Sequence, residues 1–272
     1  MDFTNIISAT RNVEEKYFRM VSIPEGSQEA EIRRILDLKG GSLEVSIPID
    51  HLAYNPDSQI YLGLTKEGRI WLSNETLKEE RRCPIEGPVT FLDFFHGRFW
   101  CLGSGFQILC SENGMDWELK LKREYVDARH HPGIWTSIVG GYNEEVFAVG
   151  LDGIIGIFDG ADWTLERILD VSFFDALVID ETTSYACGSD GSLAKRGEEG
   201  WEKVSTPLDK TFTSFARINN QVYLSDESKV YGFKVQKNGV SLNEVGLGRK
   251  LFASTACLFM LTDENTLATL SN

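Results

Sequence analysis

The chain has 272 residues, of which 42% are hydrophobic and 11% aromatic, so it can bury a sizeable core. Its 41 acidic and 27 basic residues give a formal net charge of −14. Because a negative field repels phosphate backbones and anionic lipid headgroups, we expect neither a nucleic-acid nor a membrane partner. A basic protein partner would be attracted.

The five cysteines are not spaced like a metal site or a disulfide framework. None of them lies in a Cys-x-x-Cys pattern, and their number is odd. Buried free thiols in a reducing compartment account for this pattern. The first residues lack the basic and apolar regions of a secretory signal, and no apolar run reaches the roughly 18 residues of a membrane span. We therefore expect a cytoplasmic protein, acting as a monomer.

One strand–turn–strand unit recurs along the chain, and its turns are rich in Gly and Asp. The clearest copies are 146–153 and 185–191, in which an apolar strand runs into a Gly-x-Asp-Gly turn. Asp-Gly supplies the positive φ angles that a tight hairpin needs. Weaker copies lie at 61–68, 99–105, 222–228 and 258–265. Successive copies end 37 or 38 residues apart, except for one interval of 48.

This period is typical of a β-propeller blade, because four short strands and their turns need about 40 residues. Each copy follows an apolar segment that predicts the first strand of a blade. The predicted blades start near residues 51, 91, 135, 173, 212 and 251. The sequence therefore predicts an all-β, six-bladed β-propeller with four-stranded blades over residues 42–272, and an N-terminal extension or cap at residues 1–41.

The sixth predicted blade has only three strands, so its fourth strand must come from elsewhere in the chain. Ser42–Pro48 resembles Trp201–Pro207, which is a predicted outer strand that precedes another first strand. An open sheet edge invites pairing with other chains. We therefore predict that residues 42–48 complete the C-terminal blade and close the ring.

Polar turns precede Trp117, Trp163 and Trp201, and they resemble the Asp-box, the bacterial neuraminidase repeat of β-propellers. The turn Ser111–Trp117 (Ser-Glu-Asn-Gly-Met-Asp-Trp) is a shortened form of that motif, and the other two are degraded forms. The resemblance implies a fold rather than an activity. It implies that the polar residue of each turn bonds the local backbone and that the tryptophan packs in the core or between blades.

No residue pattern nominates catalytic residues. The chain has no phosphate-binding loop, no Gly-x-Ser-x-Gly turn and no His-Glu-x-x-His. Sialidases with Asp-boxes use an arginine triad, and only a broken form of their early Arg-Ile-Pro motif occurs, at Tyr17–Pro24. The adjacent His130 and His131 would point to opposite faces of a strand, and no third ligand is suitably spaced. We therefore predict no metal site and no cofactor.

The long interval carries the candidate binding site. Residues 120–133 link the outer strand of the second predicted blade to the first strand of the third, so this link emerges on one face of the propeller. Arg and Tyr are enriched at binding hot spots, and loops on rigid scaffolds commonly carry function. The alternative is a neutral insertion. The candidate binding residues are Arg123, Tyr125, Asp127, Arg129, His130 and His131.

These features favour a non-catalytic protein-binding propeller. The most specific interpretation is an acidic inhibitor, such as an immunity protein that neutralises a toxin, because the chain is acidic and lacks a catalytic signature. The alternative is a glycan-active hydrolase or lyase, or a carbohydrate-binding propeller, with its site in the central channel. Three arginines converging there with a tyrosine and a glutamate would favour this alternative.

Overall fold

A computed structural model describes residues 6–9, 19–22, 33–37, 42–45, 47–73, 81–122, 133–168, 170–236, 239–253, 257–262 and 267–271. These residues form strands β1 to β26 and a short 3-10 helix at Leu151–Gly153. Within them, no helix is long and apolar enough to cross a bilayer. The strands pair antiparallel in seven sheets, each with its strands side by side in chain order.

The chain divides into two compact units, of which the first contains residues 1–133 together with 254–256 and 264–267. Its N-terminal sheet consists of β1 (Ile6–Ala9), β2 (Arg19–Ser22), β3 (Arg33–Asp37) and β4 (Ser42–Val45). The next sheet consists of β5 (His51–Asn55), β6 (Ile60–Leu64) and β7 (Ile70–Leu72). The third consists of β8 (Val89–Phe95), β9 (Arg98–Gly103), β10 (Gln107–Ser111) and β11 (Glu118–Leu121).

The second unit contains residues 134–253, 257–263 and 268–272. Its first sheet consists of β12 (Trp135–Gly140), β13 (Val146–Gly150), β14 (Ile154–Phe158) and β15 (Trp163–Arg167). The second consists of β16 (Phe173–Val178), β17 (Ser184–Gly188), β18 (Leu193–Gly197) and β19 (Gly200–Val204). The third consists of β20 (Phe212–Ile218), β21 (Gln221–Asp226), β22 (Lys229–Gln236) and β23 (Gly239–Leu247). The last consists of β24 (Lys250–Ala253), β25 (Cys257–Leu261) and β26 (Leu267–Ser271).

The predicted all-β blades are confirmed. Four of the six sheets after the N-terminal one begin at the predicted residues 51, 135, 173 and 212. The other two begin at Val89 and Lys250, within two residues of the predicted starts at 91 and 251. The four sheets between residues 89 and 247 have four strands each. In the first and last predicted blades, the described residues supply three strands. The repeat therefore predicted the strand framework closely.

The predicted closure of the C-terminal blade by residues 42–48 is wrong. Ser42–Val45 pairs instead with Arg33–Asp37 as the fourth strand of the N-terminal sheet. A hairpin between neighbouring segments closes a far shorter loop than pairing with the C-terminal strands would, so it costs less conformational entropy. Strands β1 to β4 therefore form a sheet of their own, one more than the sequence predicted.

The three tryptophans of the polar turns are half-buried and pack against core residues. Trp117 contacts a hydrophobic cluster formed by both the β5–β7 and the β8–β11 sheets. Trp201 of β19 meets Phe147 of the preceding sheet edge to face, with ring centroids 6.1 Å apart. Trp163 lies against Phe158 of its own sheet, at 5.4 Å. Their burial stabilises the contacts within and between sheets.

Candidate functional site

At one end of the β8–β11 sheet and of the β16–β19 sheet, the turn between the second and third strands contacts the segment that links this sheet to the next. Gly105, in the β9–β10 turn, donates its N–H to the carbonyl of Gly133, at 2.7 Å. Gly191, in the β17–β18 turn, donates to the carbonyl of Lys210 in the following link, at 2.8 Å. We call this the link end of a sheet. The backbone hydrogen bonds hold its turns against the links.

The candidate binding loop starts and finishes at the link end of the β8–β11 sheet. Its predicted contact residues, Arg123, Tyr125, Asp127, Arg129, His130 and His131, lie outside the described residues. The residues on either side, Lys122 and Gly133, are described. Lys122 forms an ion pair with Glu86, and the Gly133 carbonyl accepts from the Gly105 and Phe106 N–H groups.

Phe106 fixes the returning end of the loop. It is 2% exposed and has a left-handed backbone with a φ of 52°. Its N–H and that of Gly105 both point to the carbonyl of Gly133. A Cβ on Gly133 would lie 1.9 Å from the Phe106 ring, so only glycine fits at this close approach.

Gln107 and Glu86 support the departing end. The buried Gln107 side chain accepts from the Glu86 N–H at 2.9 Å and donates to the Glu86 and Ser104 carbonyls, each at 2.6 Å. Both Glu86 carboxylate oxygens lie 2.8 Å from the Lys122 ammonium. This ion pair is exposed and contributes at most about 1 kcal/mol. The Gln107 side chain is buried, so its hydrogen bonds do more than the ion pair to position the backbone at Glu86.

Exposed acidic residues lie at link ends of the second unit, with the basic Lys210 beside them. Asp152 lies in the β13–β14 turn and Asp190 in the β17–β18 turn. Their φ values are 59° and 55°, and each precedes a glycine. This is the Asp-Gly turn that the sequence predicted. Glu227 lies in the corresponding turn of the next sheet, and Asp209 in a link; both are exposed.

Asp226 organises the β21–β22 turn. Its Oδ1 accepts from the N–H groups of Ser228 and Lys229, at 2.7 and 2.6 Å, and its Oδ2 accepts from the Tyr231 hydroxyl at 2.8 Å. Burial acts to raise the pKa of this carboxyl, but the hydrogen bonds outweigh it and the pKa is lowered. Burial, and then the bond to Asp226, raise the pKa of Tyr231.

The turns before two tryptophans bond their own backbone, as the Asp-box resemblance implies. Asn113 Oδ1 accepts from the N–H groups of Met115 and Asp116, at 2.8 and 2.9 Å. Asp159 Oδ1 accepts from the second and third residues after it, both at 2.9 Å. The Asp162 and Ala161 N–H groups lower the pKa of Asp159. These side chains stabilise hairpins and do not form a reactive site.

A buried aspartate connects the first strands of three sheets in the second unit. Asp175 of β16 is 3% exposed, and it accepts from the Ser137 hydroxyl of β12 at 2.7 Å. It also accepts from the Ser214 hydroxyl and the Phe215 N–H of β20, at 3.2 and 2.8 Å, and from the Ala176 N–H at 3.0 Å. With its oxygens occupied and shielded from water, Asp175 has the geometry of a structural clamp.

Sequence reasoning missed the Asp175 clamp, although the repeat carries a signal for it. Trp135-Thr-Ser137, Phe173-Phe-Asp175 and Phe212-Thr-Ser214 place a polar residue two positions after an aromatic at the start of each first strand. The strand register shifts within each of these triplets. A small hydroxyl on either side of a carboxylate, at one repeat position, indicates a buried hydrogen-bond network.

The part of the chain that the structure describes contains no group of three or more His, Cys, Asp or Glu that could hold a metal. Cys83, Cys101, Cys110 and Cys187 are buried free thiols. Burial, followed by the neighbouring Cys83, raises the pKa of Cys101. A thiol with a raised pKa is a poor nucleophile at neutral pH.

The architecture is that of a β-propeller. The chain is similar to the WD40 β-propeller domain of Doa1, with a TM-score of 0.73 and 12% identity, covering 99% of this chain and 93% of that one. It is similar to YCF48 bound to D1 peptide, with a TM-score of 0.67, 11% identity and coverage of 99% and 92%. Identities this low show the fold alone.

Part of the chain is similar in sequence to the immune protein Tsi7 of Pseudomonas aeruginosa. The two are 31% identical over 113 residues, which cover 40% of this chain and 36% of the relative. The match thus spans about a third of the curated relative's length. No family model matches this chain.

Proposed function

We propose that this protein is a non-catalytic binding propeller that neutralises a partner protein, as an immunity protein does. The observation that carries the proposal is the 31% identity with the immune protein Tsi7 over 113 residues. The fold supports it, because a propeller presents rigid turns and links on which binding residues can be placed.

The charge distribution favours a basic partner. The chain carries a net charge of −14, and exposed acids such as Asp190, Asp209 and Glu227 lie at the link ends of the second unit. An acidic surface increases the rate of encounter with a basic protein and suppresses encounters with nucleic acid. The proposed inhibitor acts as a cytoplasmic monomer.

The proposed contact loop is 123–132, with Tyr125 and Arg129 as its main contacts. At one end of the loop Gly133 packs on the buried Phe106, and at the other end Lys122 forms an exposed ion pair with Glu86. A rigid base reduces the conformational entropy that a loop loses when it binds. Tyrosine and arginine contribute large contact areas and charge-assisted hydrogen bonds at interfaces.

We also propose that the turns at Asn113 and Asp159 are degraded Asp-boxes. The support is their local geometry, since each side-chain oxygen accepts two backbone N–H groups of its own turn. In this proposal, these turns stabilise the fold, and the residues that bind the partner lie at the link ends.

Growth rescue tests the neutralisation proposal. The polypeptide encoded by the reading frame next to this gene is expressed from an inducible promoter in a neutral bacterial host, with and without this protein. We expect the neighbouring polypeptide to stop growth and the wild-type protein to restore it. Tyr125→Ala and Arg129→Ala should restore growth less well, because each removes a proposed contact.

Tyr142→Ala is the matched control, because Tyr142 is 44% exposed in the β12–β13 turn, away from the candidate loop in sequence. It should protect as well as wild type. A toxic polypeptide that stops growth equally with and without the protein would refute the neutralisation proposal for that pair. Full protection by Tyr125→Ala and Arg129→Ala would refute the contact loop while leaving neutralisation intact.

A further inference from the structure

The β10–β11 turn contains an asparagine followed by a glycine, Asn113-Gly114. Asn113 is exposed, so water and hydroxide reach its side chain. In such a pair the glycine nitrogen can attack the side-chain amide carbon of the asparagine, because no side chain on the glycine blocks the approach. The attack closes a five-membered succinimide ring, which water opens to an aspartate or an isoaspartate. The turn therefore carries the reactants of a deamidation.

The fold requires the glycine of this pair. Gly114 has a φ of 77°, in the left-handed region that other residues rarely adopt. A Cβ on Gly114 would lie 3.2 Å from a methyl carbon of Leu72 and 3.3 Å from one of Leu62, both in the β5–β7 sheet. A larger residue would therefore strain the backbone and crowd the neighbouring sheet. The reactive pair is a consequence of how the turn packs.

Hydrogen bonds restrain the reacting groups while the turn is folded. The buried Gly114 N–H donates to the Ser111 hydroxyl oxygen at 2.9 Å, and that hydroxyl donates to Asn113 Oδ1 at 3.2 Å. Asn113 Nδ2 donates to an Asp116 carboxylate oxygen at 2.8 Å. The attacking nitrogen must first lose its proton, and a bonded, buried N–H loses it only when the bond opens. Ser111 therefore slows the reaction in the folded protein.

Another turn of the same chain already has the structure of the product. The β14–β15 turn, Asp159-Gly-Ala-Asp-Trp163, matches Asn113-Gly-Met-Asp-Trp117 position by position, with an aspartate in place of the asparagine. In both turns the side-chain Oδ1 accepts from the N–H groups of the second and third residues after it, at 2.8 or 2.9 Å. These N–H groups lower the pKa of Asp159, so the turn favours a charged carboxylate. An aspartate at position 113 would keep the same turn.

We propose that Asn113 is a modification site at which the protein deamidates itself, at a rate set by the opening of the turn. Once the bond to Ser111 opens, hydroxide takes the Gly114 N–H proton and the nitrogen bonds to Asn113 Cγ. The side-chain nitrogen gains a proton from water and leaves as ammonia, which regenerates the hydroxide. Water then cleaves the bond between Cγ and the Gly114 nitrogen, which leaves an aspartate and restores the main chain. This site is separate from the 123–132 loop and does not rest on the proposed neutralisation.

The fold accepts aspartate at this position better than isoaspartate. Aspartate adds a negative charge beside Asp116, and the matching turn already holds the exposed Asp162 beside Asp159. Water screens two carboxylates at an exposed turn, so the extra charge costs little. Isoaspartate instead inserts a methylene group into the main chain and would displace Trp117, which packs against a hydrophobic cluster. The aspartate product therefore re-forms the turn with one more negative charge.

Peptide mapping by mass spectrometry tests the proposal, and it distinguishes Asn113 from Asn238, the other asparagine that precedes a glycine. The full-length protein and a synthetic peptide of residues 109–119 are incubated separately at alkaline pH. We expect Asn113 to convert in the protein at least about tenfold more slowly than in the peptide, because attack waits for the turn to open. Ser111→Ala should convert at least about threefold faster than wild type, since the Gly114 N–H loses its acceptor. Ser58→Ala, at an exposed position of the β5–β6 turn, is the matched control and should convert at the wild-type rate.

Two further measurements do not depend on the Ser111 variant. Amide exchange at Gly114 of the wild-type protein should be slowed, relative to the peptide, by about the same factor as the conversion, since both begin with opening of the turn. Asn113→Asp should unfold at the wild-type temperature, because the turn accepts the product.

Several results would overturn the proposal. They are an Asn113 that stays intact after the peptide has fully converted, conversion at the rate of the peptide, and a product that is isoaspartate alone. A folded Ser111→Ala protein that converts no faster than wild type would also overturn it, with thermal unfolding as the check on folding. So would a lower unfolding temperature of Asn113→Asp.

Discussion

Asp175 shows how one buried polar residue can hold several sheets in place. It sits among apolar strand residues and is 3% exposed, yet its oxygens meet donors from β12, β16 and β20. Burying a carboxylate is costly unless hydrogen bonds replace its hydration. Here Ser137 and Ser214 are small enough to reach it from either side. The clamp therefore sets the spacing of first strands within the second unit.

Asp175→Ala should lower the free energy of unfolding by about 2–4 kcal/mol, because the buried N–H groups of Ala176 and Phe215 lose their acceptor. Asp209→Ala, at an exposed link position, should change it by less than about 0.5 kcal/mol. Urea denaturation of both variants measures the difference. Equal stability of the two variants would show that Asp175 does not act as a clamp.

Asp226 links stability to pH. Its pKa is lowered in the folded protein relative to its ordinary value of 3.8. The folded state therefore stabilises the charged carboxylate relative to the neutral acid more than the unfolded state does. The stability it contributes is present above about pH 4 and is lost as the pH falls through the folded pKa. Asp226→Asn keeps an oxygen acceptor for the turn but removes the charge.

Asp226→Asn should therefore be less stable than wild type by about 1–2 kcal/mol at pH 7. The gap should shrink as the pH falls below 4, because protonation makes the wild-type side chain neutral too. Urea denaturation at several pH values between 7 and 3 measures this gap. A gap that stays constant over the whole range would contradict the proposed role of the carboxylate charge.

At the scale of elements, the meeting of turns and links determines where binding residues can be placed. Gly133 returns the long loop to the first unit by lying directly on the Phe106 ring, where a Cβ would be 1.9 Å from a ring carbon. The Gly105 and Phe106 N–H groups bond its carbonyl. The loop base is thereby tied to the β9–β10 turn.

Gly133→Ala should displace the loop base and cost about 1–3 kcal/mol of stability through overpacking. Gly197→Ala is the control, since nothing lies within 4 Å of a Cβ there. Thermal unfolding compares the two, and binding of the toxin candidate reports the loop position. A Gly133→Ala protein as stable as Gly197→Ala would mean that the contact with Phe106 does not hold the loop.

The elements differ in how far the sequence could predict them. The blades from residue 51 onward were predictable because Asp-Gly turns and apolar first strands recur with a nearly constant period. The N-terminal sheet was not, since residues 6–45 lack those turns. Ser42–Val45 looks like any outer strand, and its pattern does not say which neighbour it pairs with. The Asp175 network was missed because its signal, a polar residue two positions after an aromatic in three first strands, does not say that the three side chains bond one another.

For the whole molecule, the balance of 41 acidic and 27 basic residues sets the long-range behaviour. Acidic turns and links carry part of this charge to the surface of the second unit. In the proposed function, the resulting field would steer a basic partner into contact, and salt screens such a field over a distance of about 10 Å at 0.1 M ionic strength. Short-range contacts by the proposed 123–132 loop would then determine how slowly the complex dissociates.

The most direct measurement is the binding of the purified neighbouring polypeptide to this protein, followed by stopped-flow fluorescence at low and high salt. We expect a one-to-one complex whose association rate constant falls at least about tenfold between 0.02 and 0.5 M salt, because steering is electrostatic. Tyr125→Ala and Arg129→Ala should mainly accelerate dissociation. The absence of a complex at micromolar concentrations, with a polypeptide shown to be folded and toxic, would contradict the central claim that this propeller neutralises its partner by binding it.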